Sequence, residues 1–125
     1  MKQLTLLLFS LILSFNSYGE WNWITADLNG DKHYIDFENF EVDTNGYLYY
    51  WEMINYTNTT EKYLSIATYR VADCDLFRTI DLALNEYTQN MAEGTPEMTE
   101  LNEDWVQHKA NSYAGFNLKN FICSD

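Results

Sequence analysis

The stretch from Tyr47 to Tyr56 reads Tyr-Leu-Tyr-Tyr-Trp-Glu-Met-Ile-Asn-Tyr. Aromatic and β-branched side chains pack well on a pleated surface, so this density predicts a strand. One face carries Tyr47, Tyr49, Trp51 and Met53, and the other carries Leu48, Tyr50, Ile54 and Tyr56. Apolar residues on both faces imply a central strand covered on both sides. A strand of this kind needs neighbours to satisfy its backbone, so the chain is committed to a sheet.

The neighbours are visible on either side. Trp21 to Thr25 and His33 to Asp36 read as short strands separated by Leu28-Asn29-Gly30-Asp31, and Asp43-Thr44-Asn45-Gly46 leads into the aromatic strand. Asn-Gly between extended runs is a strong hairpin signal, because both central positions of the favoured turn need positive φ. Asn58 to Glu61 makes the next turn, and Tyr63 to Asp73 is a long strand candidate ending at Cys74. Arg78 to Tyr87 sets Ile80, Leu82 and Leu84 against Thr79, Asp81, Ala83 and Asn85, a period of two that predicts a half-buried strand. Residues 90–104 hold Gly94, Pro96 and five acidic residues, and read as loop with a short extended piece. Trp105 to Lys109 is a last short strand. Ser112 is a good N-cap for a helix of about three turns over Tyr113 to Ile122, in which Gly115 costs roughly 1 kcal/mol relative to Ala. There are no internal repeats. The predicted architecture is α+β, mainly β: an antiparallel sheet of about five or six strands with one C-terminal helix.

The N-terminus reads as an export signal. Lys2 is followed by an apolar run from Leu4 to Phe15, then Asn16-Ser17-Tyr18-Gly19 with small residues suited to cleavage after Gly19. The apolar run is too short to span a bilayer, which takes roughly 20 residues. Residues 1–19 are therefore expected to be a signal peptide and residues 20–125 one domain. The full chain carries 7 basic and 19 acidic residues, and loss of Lys2 leaves the exported part at a formal charge of −13. Phosphate backbones and anionic lipid surfaces repel such a domain, which argues against nucleic acid and membrane partners. Two cysteines, Cys74 and Cys123, admit one intramolecular pairing, the expected state in an oxidising compartment. A pair of reduced, buried thiols is the alternative.

No chemical motif stands out. Asp27-x-Asn29-x-Asp31 with Glu38 at the twelfth place resembles part of a calcium loop, but Lys32 occupies the sixth place, where that loop requires Gly. A plain turn explains it better. His33 and His108 stand alone in the sequence, no serine sits in a nucleophile elbow, and no pair of carboxylates is marked by distinct surroundings. No catalytic residue, cofactor or metal is expected. Tyr47, Tyr49, Tyr50, Trp51 and Tyr56 suit either core packing or a stacking platform for a ligand. The Asn-x-Thr triplets at Asn55 and Asn58 read as turn residues.

In order along the chain stand Trp21 and Trp23, Tyr34-Ile35-Asp36, Gly46 with Trp51, Ile54-Asn55-Tyr56, and Tyr63 with Ser65. Cys74, Arg78, Tyr87, Met91 to Gly94, Trp105, Ser112 and Cys123 follow. This series resembles the bacterial surface-adhesin protein E-like family over nearly the whole exported part. The resemblance implies a mainly antiparallel sheet whose C-terminal helix is held by a Cys74–Cys123 disulfide, in the envelope of a Gram-negative bacterium. The family takes its name from adhesins that bind host matrix and serum proteins. Two departures matter: Glu20, not a lipid-accepting Cys, follows Gly19, and Ala110-Asn111 stands where similar sequences often place a proline. The expected protein is thus periplasmic or secreted, not lipid-anchored. It is a non-enzymatic module binding another, unspecified protein, with homodimer formation open. The alternatives are a small-molecule or carbohydrate binder using exposed aromatics, and a carboxylate-based hydrolase.

Overall fold

The aromatic run forms the middle of the sheet, as its composition requires. The structure, a computed structural model, describes residues 19–124. The expected export signal, apart from Gly19, lies outside the described residues. Strand β1 (Asn22–Ala26) pairs with β2 (Lys32–Ile35), β2 with β4 (Leu48–Asn55), β4 with β5 (Ser65–Asp73), β5 with β6 (Arg78–Tyr87) and β6 with β7 (Glu97–Glu100). Every pairing is antiparallel. Two-residue strands extend this path: β3 (Glu41–Val42) pairs with β4, and β8 (Val106–Gln107) with β6. The antiparallel sheet with one C-terminal helix and one disulfide is the architecture the sequence predicts.

Two hairpins close with the same turn. In Asp27-Leu28-Asn29-Gly30 and Asp43-Thr44-Asn45-Gly46, the glycine sits at φ +85 and +84. Its N–H donates to the aspartate carbonyl in each. The aspartate carboxylate accepts from the backbone two and four residues on: Asn29 and Asp31 donate to Asp27, and Asn45 and Tyr47 to Asp43. Asp73 closes the β5–β6 turn similarly, accepting from Asp75 and Leu76. In all three aspartates desolvation raises the carboxyl but is outweighed by hydrogen bonds, from these amides and from His33 to Asp27, Tyr49 to Asp43 and Arg78 to Asp73, which hold it below the ordinary carboxylate range. The calcium-like spacing at Asp27 is therefore turn chemistry. Asp31 is likewise engaged, accepting from Thr57 N–H at 2.8 Å.

The strand β6 does not keep the strict alternation the sequence suggests. Tyr69 opposes Ala83 and Arg70 opposes Asp81, so Leu82 is an extra, bulged residue. Beyond the bulge the faces exchange. Leu84 shares a face with Asp81 and Thr79, and Ile80 shares the other with Ala83 and Asn85. The bulged Leu82 carbonyl accepts from Leu101 N–H, which fastens the chain beyond β7.

The C-terminal helix is shorter and less regular than three α-turns. Helix α1 (Tyr113–Asn117) runs directly into a π-helical turn over Leu118–Ile122. Ser112 caps it as expected, its Oγ accepting from Gly115 N–H at 3.0 Å. Gly115 has a different role from the one its helix propensity suggests. A Cβ there would lie 1.8 Å from the Lys109 carbonyl oxygen, so only glycine permits the chain to enter the helix this closely. Leu118 and Ile122 pack with Ile35, Tyr50 and Ala72 as the core between helix and sheet. Cys123 is bonded to Cys74 at the end of β5, with the Cα atoms 5.6 Å apart. Among the described residues, no helix is long and apolar enough to cross a membrane.

Candidate functional site

Between the helix and the sheet lies a cleft of about 270 Å³. Its floor comes from alternate residues of the central strands, which face the helix because side chains alternate with period two. His33 and Ile35 come from β2, Tyr50, Glu52 and Ile54 from β4, Arg70 from β5, and Thr79 and Asp81 from β6. The helix contributes Tyr113, Asn117 and Leu118, and the segment around β8 contributes Glu103, Val106 and His108.

A chain of ion pairs crosses this floor. Asp27 Oδ2 lies 3.1 Å from His33 Nε2, and His33 Nδ1 lies 3.0 Å from Glu52 Oε2. Arg70 Nη1 donates to Glu52 Oε1, and Arg70 Nε donates to Asp81 Oδ1 at 2.6 Å. The β6 bulge sets Asp81 opposite Arg70, where uninterrupted pairing would have placed Leu82. The side chains of His33 and Glu52 are only 8% and 10% exposed, while Arg70 keeps 23%. A carboxylate so deeply buried is tolerated only when paired and hydrogen-bonded.

Protonation follows from these contacts. Burial opposes the charged forms of His33 and Glu52, but the pairing prevails in both. Hydrogen bonds to Glu52 and Asp27 raise the His33 pKa, and the Arg70 charge together with His33 lowers that of Glu52. Carboxylates only accept, so a ring bonded to one at each nitrogen is the imidazolium. Burial pushes the Tyr50 hydroxyl up to about 12. His108, whose Nε2 lies 2.7 Å from Thr79 Oγ1, is pushed down by burial and by the nearby Arg70 charge.

The sequence-predicted candidates are divided. His33 is not isolated: Glu52, distant in sequence, meets it on the sheet and links it to Arg70. Among the aromatics, Tyr50 is core at 2% exposure on the helix-facing side. Tyr49 and Trp51 lie on the opposite face and pack on Tyr69, with ring centroids 6.2 and 5.0 Å away. Tyr47 instead meets Trp105 edge-on at 5.3 Å. Tyr56 is half-buried beside the 56–64 loop. These five do not form one platform. Asn55 holds a neighbouring segment in place. Its Oδ1 accepts from Met91 N–H at 2.7 Å, while Ser65 Oγ accepts from Ala92 N–H at 2.9 Å. Together they hold Met91 and Ala92 in the left-handed region, at φ 60 and 55. Residues 90–104 are mostly loop, with β7 as the extended piece expected there.

Glu52 was the signal most easily missed. It is the lone charged residue in an aromatic strand, and a central strand has no solvent to receive it. Such a residue predicts a buried partner, though not which one.

The fold is shared with solved structures. Haemophilus influenzae protein E in its selenomethionine form superposes with a TM-score of 0.59 at 14% identity, covering 79% of this chain and 87% of that one. A second crystal form of the same protein gives 0.59 at 13% identity, covering 81% and 88%. No curated protein shows significant sequence similarity to the chain. The profile of the surface-adhesin protein E family matches residues 21–124, from the first tryptophan to one residue beyond Cys123. That match spans well over half of the chain, and the chain belongs to the surface-adhesin protein E family.

Proposed function

We propose that this chain is an exported, non-enzymatic binding module of the bacterial cell envelope whose ligand is another protein. The observation that carries the reading is the family match across residues 21–124, given that the family is named for surface adhesins. The cleft chemistry supports it. Both nitrogens of His33 are bonded to carboxylates, so the ring has no free lone pair for a general base. Glu52 is held on both oxygens, which leaves it poorly placed as a nucleophile or acid. The division of Tyr47, Tyr49, Tyr50, Trp51 and Tyr56 between different surroundings weighs against a sugar-stacking platform.

The outer strands differ in how they would meet a partner. Strand β7 is short, fully exposed and bounded by Glu97 and Glu100, features that blunt an edge. Strand β1 carries Trp23 at 61% exposure and is the better candidate for strand addition. Glu20 following Gly19 favours a periplasmic or released protein over a lipid-anchored one. The test is saturable binding of oxidised residues 20–125 to a panel of matrix, serum and envelope proteins. Binding should weaken as salt screens the acidic surface. Absence of saturable binding to every member of the panel at low salt overturns the proposal.

A further inference from the structure

The turn after β2 holds a buried carboxylate with one oxygen unused. Asp36 follows Ile35, its N–H donates to the Trp51 carbonyl, and it has no exposed surface. Its Oδ2 accepts from Asn39 Nδ2 at 2.6 Å, whereas Oδ1 has no hydrogen-bond partner among the described residues. Burial raises this carboxyl, against hydrogen bonds from the Asn39 side chain and from the amides of Glu38 and Asn39. A buried oxygen without a partner is costly, and a cation that donates to it relieves the cost. Beside Oδ1 stands Gly19. A Cβ on Gly19 would lie 3.0 Å from Asp36 Oδ1, 3.1 Å from Glu38 Oε2 and 2.9 Å from Asn39 Nδ2. Two carboxylate oxygens from one short turn thus converge on an exposed, uncharged residue at φ +86.

Gly19 is also the last residue of the expected export signal. When a signal peptidase hydrolyses the Gly19–Glu20 bond, the water oxygen joins the Gly19 carbonyl carbon, which leaves as a carboxylate. Both water protons end on the Glu20 nitrogen, which becomes an α-ammonium, the prevailing form below its ordinary pKa of about 7.7–8.0. That nitrogen starts about 2.4 Å from Gly19 Cα, beside the space that Gly19 vacates. It stays tethered there, because Asn22 Nδ2 donates to the Glu20 carbonyl at 3.1 Å and β1 begins at Asn22. We infer that the α-ammonium of the processed chain turns into the vacated space and pairs with Asp36 Oδ1 and Glu38 Oε2. This pairing rests on the export reading and deepens it. The precursor has a neutral peptide bond at that point and lacks the pair, so signal removal supplies the last contact of the fold. A side chain at position 19 would be strained at that φ and would press on three polar atoms, so the turn and the peptidase require the same small residue.

The test uses the chain expressed with its own signal and recovered oxidised from the envelope, where mass measurement should find Glu20 at the N-terminus. An NMR titration should place the α-amine above its ordinary range of about 7.7–8.0. Glu20→Gln removes the charge within one polypeptide. Glutaminyl cyclase closes its N-terminus to pyroglutamate, the α-nitrogen displacing ammonia from the side-chain amide, and Tm is measured before and after. Cyclisation should lower Tm on the order of 10 °C, the loss of a charge-assisted hydrogen bond. With Asp36→Asn added, cyclisation should leave Tm unchanged. Glu38→Gln, at an exposed position, keeps the fold where Asp36→Asn does not, and should shrink the effect of cyclisation. A processed chain whose α-amine titrates in its ordinary range, or whose Tm ignores cyclisation, overturns the pairing and leaves export standing. A Tm loss undiminished by either carboxylate substitution also overturns it. A chain that keeps residues 1–19, or begins elsewhere than Glu20, overturns the processing step and the pairing with it.

Discussion

Replacing Arg70 by Met should destabilise the domain strongly, because it leaves Glu52 charged, buried and half-paired. Met approximates the stem of Arg70 and removes both hydrogen bonds to carboxylates. Asp81 is 34% exposed and can rehydrate, but Glu52, at 10%, cannot without opening the helix–sheet contact. Breaking a buried pair by removing one partner costs about 3–5 kcal/mol. His33 still bonds the second Glu52 oxygen, so the loss should fall at the lower end, about 3 kcal/mol. For a domain of this size that corresponds to a Tm lower by about 12–24 °C. Urea melts and calorimetry near pH 6 measure it directly. Adding Glu52→Gln should restore much of the loss by removing the orphaned charge, giving a large coupling in the double-mutant cycle. A loss below about 1 kcal/mol for Arg70→Met, or additive losses in the double variant, would refute the claim that this pair is a buried, interdependent unit.

Other outcomes follow from the same geometry. Stability attributable to His33, measured as wild type minus His33→Gln, should depend on pH. The raised His33 pKa makes its contribution fully present below its unperturbed 6.5 and lost as pH rises through the folded value. The depressed Glu52 pKa makes its contribution present above 4.5 and lost on acidification. The difference should therefore be greatest between those two values. A flat difference across the range defeats this. The variant is needed as reference because the lowered pKa of His108 works in the opposite sense at low pH. Gly115→Ala, which would stabilise an ordinary exposed helix, should instead destabilise by roughly 1–3 kcal/mol through its clash with Lys109, as read from denaturant melts. Replacing Cys74 and Cys123 by Ser removes a cross-link over 49 residues and should cost about 4 kcal/mol on the loop-entropy account, with hydrogen exchange rising most in residues 113–123.

The central sheet was legible because its signals are local. The aromatic run at 47–56, the Asn-Gly pairs and the extended character of β6 each follow from backbone preference and period. The Leu82 bulge was not legible, since one extra residue leaves the alternation intact in sequence while exchanging the faces in space. The candidate site was hidden for the same reason. His33, Glu52 and Arg70 are 19 and 18 residues apart in turn, so only the strand register brings them together. Gly115 shows the limit of propensity: a backbone approach by Lys109 decides that position, and nothing in helix statistics encodes it. Conversely, the repeated Asp-x-Asn-Gly was present in the sequence and its aspartates could have been assigned to the turns on the strength of the repetition.

Those aspartate-closed turns give the molecule separable weak points. Each latch is a carboxylate that holds two backbone amides at a hairpin turn, and its second oxygen holds a side chain: His33 for Asp27, Tyr49 for Asp43 and Arg78 for Asp73. Protonating Asp43 or Asp73 loosens its own turn, whereas protonating Asp27 also takes a partner from His33. As pH falls through the depressed carboxyl range, hairpin tips should open as local units while the strand interiors remain protected.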